Sequence, residues 1–187
     1  MGEHSRSGQR KIDLAVAATR DLLAGLRLHP GGDRVSLVSF NNTATTLAPL
    51  TDDHNALEMA LSRIVLHQQS RIDLGLLAGA HSLTTARPES MRALILLSDG
   101  LANPAPASDV LEAAASVHSS GISLYVVGVG PNMDRSFLRE IAADPQRFIA
   151  SADPDLLGSI FDELARRVPC PPGVYWGQRT ARPSQRW

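Results

Sequence analysis

Hydrophobic positions recur along this chain in two rhythms. Between Gln9 and Leu28, Ile12, Val16, Thr19, Leu22, Leu23 and Leu26 fall on one face at spacings of three and four, the pattern of an amphipathic helix. His29-Pro30-Gly31-Gly32-Asp33 ends it. Val35 to Phe40 is short and largely apolar, which predicts a buried strand. Asn41-Asn42 follows as a turn, and Thr43 to Leu47 as a second strand. So short a link permits only an antiparallel hairpin. Asp52 or Asp53 can cap a helix running to about Leu66.

Gln68-Gln69-Ser70 is a loop before a helix from Arg71 to about Thr85. Ala93 to Leu97 is uninterrupted apolar sequence, as expected of a strand covered by helices on both faces. It stops at Ser98-Asp99-Gly100. A helix from Ser108 to Ser119, a strand from Ile122 to Val129, a helix from Asp134 to Ala142, a strand from Arg147 to Ala150 and a helix from Asp153 to Arg167 complete the pattern. Helix and strand alternate apart from one hairpin, so the fold class is α/β: an open, doubly wound, mostly parallel sheet with helices on both faces. Ligands of such sheets bind at the carboxyl ends of the strands.

Composition narrows the chemistry. The 187 residues are 43% hydrophobic and 20% charged, with a formal net charge of −1. That balance gives no electrostatic reason to bind nucleic acid or an anionic membrane. No apolar run approaches the ~18 residues of a membrane span. Met1 to Arg6 contains no apolar signal core, and the compartment stays open. The single cysteine, Cys170, excludes an internal disulfide and a cysteine-based zinc site. The only lysine, Lys11, lies in the first helix. It therefore cannot serve a P-loop or the late strand end of a phospho-accepting receiver domain. There is no G-x-S-x-G, no H-E-x-x-H, and no third glycine after Gly128-Val129-Gly130. No enzyme is predicted. What remains is oxygen chemistry at strand ends. Asp99 could ligate a cation or simply hold a turn. Ser70 could ligate or cap the helix that follows, with Asp73 reaching back.

In order, the segments Lys11-Ile12-Asp13-Leu14-Ala15, Arg34 to Asn41, Pro49-Leu50-Thr51, Ser70 to Leu76, Leu94 to Gly100 and Gly121 to Gly130 resemble a von Willebrand factor type A domain. The resemblance runs to about residue 167, which sets a domain at 1–168 and a tail, or the stub of a further region, at 169–187. It implies a non-enzymatic protein-interaction module. Such a module uses a metal-ion-dependent adhesion site, in which Mg²⁺ or Mn²⁺ bridges to an acidic residue of a partner protein. By the family pattern, Asp99 matches the third-loop aspartate and Ser70 stands where threonine is usual. Asn41, Asn42, Gly100 and Asn103 flank them as partner-binding candidates.

The family's D-x-S-x-S has no match here. By resemblance, Met1 falls just past that motif, which would place the first, central strand and three metal ligands upstream of residue 1. Burying four or five large apolar side chains of such a strand contributes on the order of 10 kcal/mol. Net domain stability is only about 5–15 kcal/mol. Two ligands alone should hold no cation tightly. Alternatives are a regulatory subunit of an ATPase or chelatase assembly, and a non-functional fragment of a longer protein.

Overall fold

A computed structural model describes residues 10–64, 69–100 and 105–167. Its elements are α1 (Lys11–Gly25), β1 (Val35–Phe40), β2 (Ala44–Thr51), α2 (His54–Leu61), α3 (Ile72–Ser82), β3 (Ala93–Ser98), α4 (Ala107–Ser119), β4 (Ser123–Val129), α5 (Arg135–Ala142), β5 (Phe148–Ser151) and α6 (Leu157–Arg167). Single 3₁₀ turns follow α3 and precede β5 and α6. The expected α/β class is present. β3, β4 and β5 form a parallel sheet in that order, and β1 and β2 form a separate antiparallel pair. Ala93 aligns with Ser123 and Ser98 with Gly128, while Val126 aligns with Phe148.

Alternate residues of the parallel strands feed two layers. Leu96, Leu124 and Val126 pack with α3, α4 and α5 through Leu76, Val110, Val117, Leu138 and Ile141. Tyr125, Val127 and Val129 pack on the other face with Ala15 and Ala18 of α1 and Leu157, Phe161 and Leu164 of α6. This period of two is the strand geometry that the apolar runs require. A third cluster joins Leu23 of α1, Ala48 of β2 and Leu57 and Leu61 of α2, with Val35 and Leu37 of β1 against it.

Several boundaries and burial patterns differ from expectation. β1 and β3 were both expected to be buried, yet every residue of β1 and four of six in β3 are only half-buried. β4 is buried from Leu124 to Val129. The cause is neighbour number: among the described residues β4 is flanked on both sides, whereas β1 and β3 each pair on one side. On α1 the buried face is carried by Lys11, Ala15, Ala18 and Leu23, because small alanines let the helix approach α6. α1 stops at Gly25 as Leu26 turns extended and Asp33 takes the Arg27 N–H at 2.9 Å. α2 begins under an Asp53 cap and ends at Leu61, short of the predicted Leu66. The tail, including Cys170, lies outside the described residues.

The candidate site at the strand ends

Three tethers fix the direction of β1 relative to β3. The Arg71 N–H donates to the Asn41 carbonyl at 2.6 Å, so α3 starts at the carboxyl end of β1. Arg34, just before β1, donates to the Thr85 carbonyl past the end of α3. Arg87 donates to the Gly32 carbonyl. α3 therefore runs antiparallel to β1. A Cβ on Gly79, in the second half of α3, would meet Leu94 at the start of β3, so α3 is antiparallel to β3 as well. β1 and β3 point the same way, and Asn41, Ser70 and Asp99 all lie at one end of the molecule.

Each position is built locally. Asn41 closes the hairpin: its N–H donates to the Thr43 carbonyl at 2.8 Å, and its side-chain oxygen accepts the Thr43 N–H at 3.1 Å. Asn42 is exposed at the tip. Ser70 is half-buried. It does not cap α3 as one reading expected: Arg71 is the N-cap residue and no side-chain cap bond forms. Asp73 does not reach back to it either. Its carboxylate is instead gripped by the Arg71 guanidinium, with bonds at 2.9, 3.2 and 2.6 Å. That hydrogen bonding holds the Asp73 carboxyl below the ordinary carboxylate range against a smaller opposing effect of burial. The reversal has a long-range cause. The bond from Arg71 to Asn41 sets the entry of α3, leaving the Ser70 hydroxyl without a hydrogen-bond partner among the described residues.

Asp99 follows β3 half-buried, and its carbonyl accepts the Asp134 N–H at 3.2 Å. Ser98 beneath it is 4% exposed and accepts the Gly100 N–H at 3.1 Å. Gly100 is buried, with φ +78°. A Cβ there would stand 2.9 Å from Leu138 Cγ. Its place is structural, beneath α5, rather than at an outer surface. Asn103 lies outside the described residues. At the end of β4, Lys11 is 3% exposed, and its Nζ lies 2.6 Å from where a Cβ on Gly130 would be.

The donors toward a cation are thus a hydroxyl and a carboxylate, both hard oxygens suited to Mg²⁺ or Mn²⁺. Among the described residues no group of three or more His, Cys, Asp or Glu could hold a metal. The donor set fits a divalent cation by type and falls short by number. The sequence reading missed a second feature, a cavity of about 290 Å³ between α3 and α4 lined by Asp73, Leu77, Asp109, Glu112, Ala113 and Ser116. Its acids on α4 recur at i and i+3, a spacing visible in the sequence, but their meeting with Asp73 is not. Among the described residues no helix is long and apolar enough to cross a membrane.

Compared with known proteins, the family model of the von Willebrand factor type A domain matches residues 3–163. The chain is 31% identical to human (Homo sapiens) matrilin-4 over 159 residues, covering 78% of this chain and 24% of matrilin-4. It thus spans about a quarter of that relative's length. Proximal thread matrix protein 1 from the mussel byssus, solved with a zinc occupied MIDAS motif, has a TM-score of 0.70 and 22% identity, over 83% of this chain and 40% of that one. The manganese-loaded Plasmodium vivax TRAP protein has a TM-score of 0.66 and 17% identity, over 81% and 65%. These two likenesses show the fold.

Proposed function

Because the chain belongs to the von Willebrand factor type A domain family, we propose that it is a non-enzymatic protein-interaction module that recognises its partner at the carboxyl ends of β1 and β3. The observation that supports this most is the gathering of Asn41, Ser70 and Asp99 at one end. It is enforced by the bond from Arg71 to Asn41 and by that from Asp134 to Asp99. The exposed hairpin tip at Asn42 adds a polar contact surface beside them.

In this reading Ser70 and Asp99 contribute two of the oxygens of a divalent-cation site. When bound, the cation supplies a positive centre that accepts a carboxylate from the partner. Mg²⁺ takes near-octahedral oxygen coordination, so the other ligands come from beyond these two side chains. On this chain alone, recognition rests on the shape and hydrogen bonding of the loops. The zinc and manganese of the two structural relatives support the cation class.

The test is a titration of the 187-residue chain with Mg²⁺ and Mn²⁺, read by calorimetry and by paramagnetic broadening of amide resonances. The expected result is no calorimetric binding in the millimolar range. Weak Mn²⁺ broadening should centre on Ser70 and Asp99 and disappear in Asp99→Ala. Tight binding abolished by Asp99→Ala would show that two ligands suffice. Broadening centred on Asp73, Asp109 and Glu112 would move the site to the α3–α4 cavity.

A further inference from the structure

The groove between α3 and α4 combines negative charge with uncovered apolar surface. Its volume is about 290 Å³. Asp73 and Asp109 stand in the first turns of their helices, and Glu112 follows Asp109 one turn later. Asp73 is 5% exposed and already holds a guanidinium, that of Arg71, at 2.9, 3.2 and 2.6 Å. Asp109 and Glu112 are exposed and form no ion pair among the described residues. Between these acids the wall is apolar. Leu77, 46% exposed, is one of the large apolar side chains that the fold leaves uncovered, and Ala113 across from it is buried. Three carboxylates against one guanidinium leave negative charge in excess beside a bare leucine. A segment complementary to this groove carries arginine and an apolar side chain, and no acid.

We propose that the occupant is the chain's own segment 168–187, docked in cis with arginine side chains on Asp109 and Glu112 and an aromatic side chain over Leu77. Charge supports this choice. The segment carries Arg179, Arg182 and Arg186, and no Asp or Glu follows Glu163. Arginine also suits the acceptors, because its planar fork pairs with a carboxylate through two bonds. Spacing supports it as well. Tyr175 and Trp176 shortly precede Arg179. Three residues of extended chain cover about 10 Å, close to the 8–10 Å or so between the axes of packed helices. Trp176 over Leu77 of α3 therefore brings Arg179 to the acids of α4. Reach is sufficient: α6 ends at Arg167, and the extended chain from there to Arg179 spans about 40 Å, about the diameter of a domain of this size. Tethering supplies an effective concentration of about 1 mM. A contact with a dissociation constant of about 0.1 mM is then formed about nine-tenths of the time.

Trp176 and Trp187 are the chain's only tryptophans, so tryptophan emission reports on this segment alone. The test is acrylamide quenching of the 187-residue chain and of a synthetic peptide of residues 168–187, in about 20 mM salt, where charge pairs are little screened. The chain is expected to emit at shorter wavelength than the peptide. Asp109→Asn combined with Glu112→Gln should raise its quenching constant about two-fold or more, to the peptide's value. Glu89→Gln combined with Glu140→Gln removes the same charge elsewhere on the surface and should change neither reading. Variants are compared at matched far-ultraviolet circular dichroism. Emission and quenching equal to the peptide's in the parent chain would overturn the proposal. So would protection that survives the Asp109 and Glu112 changes, which would place the segment elsewhere, or equal loss in the Glu89 and Glu140 pair. Protection that falls on dilution by about 20-fold would give the groove to a second copy's segment and overturn docking in cis. Asp99→Ala removes a candidate cation ligand and should leave the quenching unchanged, so this proposal and the cation reading fail separately.

Discussion

Gly100 lets the chain turn from Asp99 beneath α5, and replacing it with alanine separates two costs that the structure superimposes. The first is backbone strain. At φ +78° a residue with a Cβ loses about 1–2 kcal/mol relative to glycine. The second is space. The new methyl would stand 2.9 Å from Leu138 Cγ, and 3.1 Å from both Leu138 Cδ1 and the Asp134 carbonyl oxygen. Leu138 is fully buried and has nowhere to swing, so overpacking adds about 1–3 kcal/mol. Gly100→Ala should therefore destabilise the chain by about 2–5 kcal/mol, a large part of a net stability near 5–15 kcal/mol. Urea denaturation followed by far-ultraviolet circular dichroism, with linear extrapolation, measures it. In a Leu138→Ala background the two Leu138 contacts are gone, so the spatial part should shrink to the contact with the Asp134 carbonyl, while the backbone part, about 1–2 kcal/mol, should remain. A change within about 0.5 kcal/mol of the parent would refute the positive-φ assignment. An undiminished cost in the Leu138→Ala background would refute the steric half.

Ala143 presents the opposite case, since it ends α5 at φ +59° without being glycine. Ala143→Gly should stabilise the chain by roughly 0.5–1 kcal/mol, and an unchanged or lower urea midpoint would contradict the left-handed cap. Asp73 links stability to pH. Its carboxyl is held below the ordinary range by the Arg71 guanidinium, so its contribution is fully present above the unfolded value of about 3.9 and is lost as pH falls through the lower folded value. Urea midpoints of the parent should consequently fall more steeply below about pH 4 than those of Asp73→Asn; parallel slopes would show that the Arg71–Asp73 pair adds nothing to acid stability.

The sequence carried most of the periodic structure, because strands and helices bury faces whose spacing is written locally. Ala93 to Leu97 and Leu124 to Val129 could be assigned as strands before any contact was known. Their difference in burial could not, since it depends on which strands lie beside them. The same division holds at the site. Asp99 was legible as the residue that ends an apolar run, and Asn41 as a hairpin turn. The role of Ser70 was not, because local capping preference competes with a bond from Arg71 to Asn41 that joins residues thirty positions apart. The Arg71–Asp73 grip was also missed. Both residues are adjacent to the motif, but only the helix entry set by Asn41 turns their side chains together.

The position of Lys11 has a practical consequence. It is the chain's single lysine, and its side chain is 97% covered where α1 meets the end of β4. Apart from the terminal amine, an amine-directed reagent has one place to react, and it reaches that place only when the start of α1 lifts from Gly130. The rate of Lys11 acylation therefore serves as a built-in clock for that opening. It counts detachments of α1 in the unaltered polypeptide, with no dye or engineered cysteine introduced.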